Sequence, residues 1–240
     1  MNTNFLPGCK ACIHTGILTL LMLLVGCAVP NTKSDPTIES DSETLIWLPG
    51  PQQQSGTSIE QALQTRRSVR EFSAEGVSLD KIAQLLWAAQ GVTAERGYRT
   101  VPSAGALYPL EIYLVAGEVS GLEQGVYRYA PAEHALGLVA MGDPRAEVQA
   151  AALHQEAIGN APALIVIAAQ YDSTTGKYGQ RGIRYVHIET GCAAQNIYLQ
   201  TVPLGLGTVL IGAFHDQDVV EILGMPPDHQ PLAIMPVGAR

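Results

Sequence analysis

The sequence predicts an α+β fold in which a central mixed or antiparallel sheet is wrapped by helices. Strand-like runs fall close together, with "LEIYLVAG" (110–117) followed by "GVYRYAP" (125–131) and "HALGLVA" (134–140). Helical patterns bracket those runs, and the two kinds of element mix without the strict βαβ alternation of a parallel sheet. At 240 residues, 47 % apolar and 15 % charged, the chain suits one sizeable domain with a core of ordinary size.

The folded unit is expected over residues 58–240. Ser58 and Gln61 form a capping-box signature ahead of "IEQALQTRR", a short helix. Ser78 caps "LDKIAQLLWAAQ", whose Ile82, Leu85, Leu86 and Ala89 share one face, and Gly91 stops it. After the three strands come a helix over about 143–154 and a buried strand in "PALIVIAAQ" (162–170). The longest helix is expected near 183–202, with Tyr185, Ile188, Cys192, Asn196 and Leu199 on one stripe. "LGTVLIGAF" reads as turn and strand, 216–223 as a helix capped at His215-Asp216, and "PLAIMPVG" as the last strand.

The residues before Ser58 read differently. Lys10 and the ten-residue apolar run "ILTLLMLLVG" (17–26) match a secretory signal peptide over 1–26. The run is short of the roughly 20 residues that cross a bilayer. "LVGC" (24–27) resembles the bacterial lipoprotein box, with cleavage before Cys27 and lipidation of that cysteine. The other reading is an ordinary signal peptide cut a few residues later. The first predicts an exported lipoprotein on the periplasmic side of a bacterial envelope, touching membrane only through its lipid anchor. Residues 27–57 then form a Ser-, Thr-, Pro- and Gln-rich tether, interrupted by "LIWLPGP" (45–51), an extended arm that packs onto the domain. Cys9 and Cys12 leave with the signal, so Cys192 is the one thiol left for the mature fold. An intrachain disulfide and a CxxC-type zinc site are thereby excluded.

Fourteen Lys and Arg against twenty-two Asp and Glu give a formal charge of −8. Nucleic acid is excluded as a partner, because its binding needs a basic footprint. Against this background "QTRRSVREF" (64–72) gathers Arg66, Arg67 and Arg70 around Ser68. Either the patch is solvated or an anion binds there; guanidinium forks, a hydroxyl and free N–H groups suit a phosphate. "PSAGALYP" (102–109) is a tight turn whose small residues let backbone approach a flat ligand. It is not a GxSxG elbow, so Ser103 is a poor nucleophile. "GLG" (205–207) leads into a strand instead of opening a helix, which rules out a dinucleotide fingerprint. "TTGKYGQRG" (174–182) holds either a base, Lys177, or an incidental lysine in a mobile polar loop, followed by the helix-start residues Arg181, Arg184 and Tyr185. Cys192 and His187 read as packed and satisfied residues. No His, Asp or Glu set has metal-ligand spacing.

In order, "RRSVREF", "PSAGALYPLEIYLVA", "KYGQRGIRY", "GCAAQN", "LGLGTVLIGAF" and "PVG" resemble the nitroreductase superfamily of flavin enzymes, and most closely its SagB-like thiazole/oxazole dehydrogenase branch. The resemblance spans about residues 46–240 and implies a nitroreductase-like fold, FMN as cofactor, and a homodimer with its flavin sites at the subunit interface. It implies that Arg66, Arg67, Ser68 and Arg70 hold the FMN phosphate and ribityl chain. Pro102, Ser103, Ala104 and Gly105 would lie against the isoalloxazine ring, with Gly205, Leu206 and Gly207 approaching from the other side. Arg240 would reach back to the phosphate, and Lys177 with Tyr178 would be the catalytic pair. The expected activity is hydride removal from an azoline-type small-molecule or peptide substrate, with the proton taken by Lys177. Two other readings stand beside it: an NAD(P)H-dependent nitro- or quinone reductase, and a non-catalytic flavin-binding partner domain. Export favours the dehydrogenase, since NAD(P)H is not expected outside the cytoplasm. Cys192 departs from the family pattern, where a histidine is expected after Gly191.

Overall fold

The computed structural model describes residues 45–240. The signal peptide expected over 1–26, the lipidation of Cys27 and the first part of the tether lie outside the described residues. In chain order the elements are β1 (Leu45–Trp47), α1 (Ile59–Thr65), β2 (Val77–Ser78), α2 (Leu79–Gln90), β3 (Leu110–Ala116), β4 (Val119–Ser120), β5 (Gly125–Ala130) and β6 (Ala135–Met141). They continue with α3 (Arg145–Ala151), α4 (Glu156–Asn160), β7 (Ala163–Gln170), α5 (Asp172–Tyr178), α6 (Arg181–Thr201), β8 (Leu206–Thr208), α7 (Asp216–Ile222) and β9 (His229–Ala239).

Seven strands form one sheet in the order β1-β6-β5-β3-β7-β9-β8, every neighbouring pair antiparallel. β2 and β4 make a separate parallel pair. β3 and β7 are apolar on both faces because both faces are covered. Ile112, Leu114, Ile165 and Ile167 join one core with α2 and α6. Tyr113, Val115, Leu164 and Val166 join a second core with α3 and α7. The predicted α+β class and helix-wrapped sheet are therefore what the chain forms. No helix among the described residues is long and apolar enough to cross a membrane.

Local chemistry sets several boundaries. The Gln61 N–H donates to Ser58 Oγ at 3.2 Å, the predicted N-cap of α1. Ser78 holds the N-cap position of α2 but makes no side-chain capping bond. The 45–51 arm is built into the sheet: β1 pairs with β6, and Leu48 is buried. The Gln52 N–H donates to Gln84 Oε1 at 2.7 Å, and Gln84 Nε2 returns a bond to the Gln52 carbonyl at 3.0 Å.

Four expectations change. The 143–154 helix is broken after Ala151, where Leu153 and His154 turn left-handed at φ 57° and 59° before α4. The 174–182 stretch is no loop, since α5 fills most of it. Gly182 permits this, because a Cβ there would stand 2.9 Å from the Thr175 backbone. "LGTVLIGAF" supplies only the short β8 and a single bridge from Ile211 to Ile234. On α6 the buried stripe is Val186, Glu189, Thr190, Ala193, Ala194 and Ile197, while Ile188 is 57 % exposed. Small residues let α2 and the sheet approach that face closely, so the larger apolar residues do not mark the core side.

Candidate functional site

The arginine-rich segment is positioned by two glycines. After α1 the chain runs beside the sheet edge, where Ser68 bridges Thr208 and the Val69 N–H donates to the Thr208 carbonyl at 2.9 Å. Further along, the Ser73 N–H donates to the Ala239 carbonyl at 2.9 Å. A Cβ on Gly207 would lie 2.7 Å from Val69 Cβ, and one on Gly238 would lie 2.8 Å from Phe72 Cβ. Glycine at both points is what lets this segment lie against β8 and β9. Gly207 is thus filled from within the chain, whereas Gly205 is exposed, left-handed at φ 68° and open above its Cα.

Tyr198 organises the cluster from α6. Its hydroxyl accepts the Leu210 N–H at 2.8 Å and shares a hydrogen bond with Ser68 Oγ at 3.0 Å. The Arg66 guanidinium stands over the Tyr198 ring, 5.1 Å from its centre. Arg240 Nε donates to the Leu206 carbonyl at 2.9 Å, which brings the far end of the chain to the same edge. Arg67 instead turns back to the Gln64 and Arg66 carbonyls, at 2.9 and 2.7 Å. Its place is at the C-terminal end of α1. Arg70 is exposed and makes no ion pair among the described residues. Thr208 is fully buried and its Oγ1 has no hydrogen-bond partner.

A second cluster forms around the 102–108 loop. Gly105, Ala106 and Tyr108 are all left-handed, at φ 66°, 54° and 48°. The Tyr108 N–H donates to Ser103 Oγ at 2.9 Å and closes the turn. A Cβ on Gly105 would stand 2.8 Å from the Tyr178 hydroxyl and 2.9 Å from Lys177 Nζ. The loop and the Lys-Tyr pair, far apart in sequence, are therefore in contact. Tyr178 meets Tyr185 edge to face at 5.1 Å, and Lys177 Nζ stands 5.4 Å from the Tyr178 ring centre. Pro102 is exposed, while Ser103 and Ala104 are half-buried.

Behind the loop lies a buried polar group that spacing did not reveal. The Arg99 guanidinium stacks on Tyr108 at 4.5 Å and donates to Gln90 Oε1 at 2.9 Å. Burial lowers the Arg99 pKa, opposed by Glu111, Tyr108 and Glu189. Burial also raises the Glu189 carboxyl, while Ser103, Gln90 and the Arg99 charge pull it back. Glu189 Oε1 and Gln90 Nε2 are buried without hydrogen bonds. Glu189 sits in a stripe of small residues, and Tyr198 reads as an ordinary core aromatic, so neither carried a motif.

The two clusters occupy opposite ends of α6. Tyr185 and Tyr198 are separated by about 20 Å along a helix rising ~1.5 Å per residue. The first cluster offers guanidinium groups and hydroxyls suited to a phosphate. The second offers a flat-walled turn with an amine and a phenol at its edge.

The Nitroreductase family model matches residues 63–239. A protein of Methanocaldococcus jannaschii named as a nitroreductase candidate is 48 % identical over 182 residues, 76 % of this chain and 91 % of that one. A nitroreductase candidate of known structure from Ralstonia eutropha superposes with a TM-score of 0.72 at 29 % identity, over 83 % of this chain and 90 % of that one. The microcin B17-processing protein McbC of Escherichia coli is 28 % identical over 132 residues, 53 % of this chain. The match spans 48 % of McbC, about half its length.

Proposed function

Because the chain belongs to the nitroreductase family, we propose that it is an FMN-dependent oxidoreductase acting as a dehydrogenase on an azoline-type small molecule or peptide. The observation that carries this reading is the contact of Gly105 with Lys177 Nζ and the Tyr178 hydroxyl. It sets an amine and a phenol at the rim of the turn expected to face a flavin ring. Bound there, FMN would accept hydride from the substrate and pass the electrons to an acceptor such as oxygen or a quinone. Lys177 takes the proton released from the neighbouring carbon, and Tyr178, braced by Tyr185, orients the amine. The balance is one hydride and one proton lost per ring double bond formed.

The residues fit the cofactor. Arg66, Ser68 and Arg240 come together at one sheet edge beside the open Gly205, with Arg70 two residues along the same segment, and these four would hold the phosphate. The unpartnered Thr208 Oγ1 marks spare hydrogen-bonding capacity beside Ser68. With the ring loop at the other end of α6, the reading includes a homodimer. A second copy packed antiparallel along α6 sets the loop of one chain against the phosphate cluster of the other. Ile183 and Ile188 on α6, and Ile59 and Leu63 on α1, are exposed apolar residues that such packing would cover. The peptide option draws on the likeness to McbC, and the lipoprotein anchor and envelope location remain part of the proposal.

A second reading, an NAD(P)H-dependent reductase, is favoured by the 48 % identity to the archaeal nitroreductase candidate. One experiment addresses both. The purified protein is titrated with FMN and then offered an azoline peptide, NADH or NADPH without oxygen. One FMN per chain, bleached by the azoline but not by nicotinamides, is the expected result. Bleaching by NADPH alone would replace the dehydrogenase with the reductase, and no flavin binding would end both.

A further inference from the structure

Tyr198 is 9 % exposed and packs in the core that α2 and α6 share with one face of the sheet. Phenylalanine would fill that place with the same ring, so the hydroxyl needs a reason of its own. It has two partners, from two separate segments. It accepts the Leu210 N–H at 2.8 Å and shares a hydrogen bond with Ser68 Oγ at 3.0 Å. The 206–210 stretch is tied to other members of the cluster as well. The Thr208 carbonyl receives the Val69 N–H and the Leu206 carbonyl receives Arg240 Nε, both at 2.9 Å. The face of the Tyr198 ring carries the Arg66 guanidinium, 5.1 Å from its centre, and Arg66 makes no ion pair among the described residues. A tyrosine that only pinned α6 to the sheet would need the Leu210 bond alone. This one also touches two side chains of the arginine-rich segment, both of them suited to a phosphate.

We infer that Tyr198 is a positioning residue for the phosphate cluster: its hydroxyl directs Ser68 Oγ, and its ring holds the Arg66 guanidinium in place. The inference rests on the FMN reading above. The direction of the hydrogen bonds supports its first half. A phosphate dianion only accepts, so a Ser68 hydroxyl that donates to it keeps its bond to Tyr198 only by accepting the phenol hydrogen. Tyr198, whose oxygen already receives the Leu210 N–H, has that hydrogen to give. For the second half, a long side chain already stacked on a ring loses less freedom when it engages an anion.

The test uses the full chain, with FMN and riboflavin as probes, since riboflavin carries the ring and ribityl chain without the phosphate. Tyr198→Phe keeps the ring beside Arg66 and removes the hydroxyl. It should raise the FMN dissociation constant about fivefold, the scale of one ordinary hydrogen bond, and leave that of riboflavin unchanged. In a Ser68→Ala background the same substitution should change FMN affinity less than about twofold, because the hydroxyl acts through Ser68. Tyr198→Leu, which also removes the platform of Arg66, should weaken FMN beyond Tyr198→Phe and again spare riboflavin. Equal weakening of both flavins by Tyr198→Phe would mark a packing role alone and overturn the inference, as would wild-type affinity for FMN; either leaves the FMN reading intact. An undiminished effect in the Ser68→Ala background would overturn the route through Ser68, and a Tyr198→Leu loss no greater than that of Tyr198→Phe would overturn the hold on Arg66. If Tyr198→Phe does not fold, the exposed Ser68 decides in its place. Ser68→Ala must then weaken FMN and spare riboflavin, and unchanged FMN binding would overturn the inference. Wild-type protein that binds neither flavin would remove the FMN reading and this inference with it.

Discussion

Gly207→Ala tests the placement of the arginine segment on the sheet edge. The added methyl would stand 2.7 Å from Val69 Cβ, 2.7 Å from Cγ1 and 2.9 Å from Cγ2. Carbon pairs rest at about 3.5–4.0 Å, so the segment must withdraw by roughly 1 Å. That shift would stretch the 2.9 Å bond from the Val69 N–H to Thr208 beyond hydrogen-bonding range. Overpacking of this kind costs about 2 kcal/mol, and the lost bond costs about 1 kcal/mol more. For a domain of this size the sum lowers Tm by roughly 6–12 °C. The control is Val69→Gly. Val69→Ala would leave the Cβ, itself one of the clashing atoms. In the Val69→Gly background, Gly207→Ala should cost less than about 1 kcal/mol, so the double-mutant cycle should return a coupling of about 2 kcal/mol. Both series can be read by thermal and urea unfolding. Equal cost in the two backgrounds would refute the packing, and with it the placement of the segment carrying Ser68 and Arg70 beside Arg240 at this sheet edge.

Other expectations follow from the same geometry. Arg70→Ala should weaken FMN by about tenfold or more, measured by fluorescence titration, and unchanged affinity would move the phosphate elsewhere. Lys177→Ala should abolish azoline oxidation while FMN stays bound; turnover at the wild-type rate would remove its role as base. Burial raises the Glu189 pKa above its ordinary 4.5, against the pull of Ser103, Gln90 and Arg99. Its stabilising contribution is therefore present below that value and is lost as pH rises through the folded pKa, a loss that Glu189→Gln should lack. Asp143 has the opposite sign. Hydrogen bonds from Arg145 hold its pKa below the ordinary 3.8. Its contribution is present above that value and fades as pH falls through the folded pKa, so acid unfolding of Asp143→Asn should lose that component.

Elements whose boundaries rest on local chemistry were legible in the sequence. Leu79–Gln90 is the helix that its apolar period and Gly91 indicate, and β3, β5, β6, β7 and β9 lie within two residues of their apolar runs. What failed depended on how elements pack against one another. The stretch around Lys177 reads as polar loop because its helix exists only by packing against α6, through the space that Gly182 leaves beside Thr174 and Thr175. The buried face of α6 is set by small residues, which carry weak periodicity, so Ile188 points outward where Ala193 and Ala194 point in. The site divides in the same way. Its motifs were visible, but Tyr198, Glu189, Gln90 and Arg99 are ordinary residues until the fold brings them behind those motifs.

Glycine spacing also misleads in one instructive way. The run from Gly205 to Gly207 reads as two positions of close approach to a ligand. The fold gives each a different reason. Gly207 is buried against Val69, so its missing side chain is accounted for before any ligand arrives. Gly205 has nothing within 4 Å of its Cβ position, yet its φ of 68° still favours glycine for the turn out of α6. A Gly205→Ala substitution therefore separates turn from ligand. If only the turn needs glycine, the cost falls on stability, at about 1 kcal/mol, with flavin affinity unchanged. If the open face receives the cofactor, affinity falls as well, and a stability loss without it would leave Gly205 outside the site.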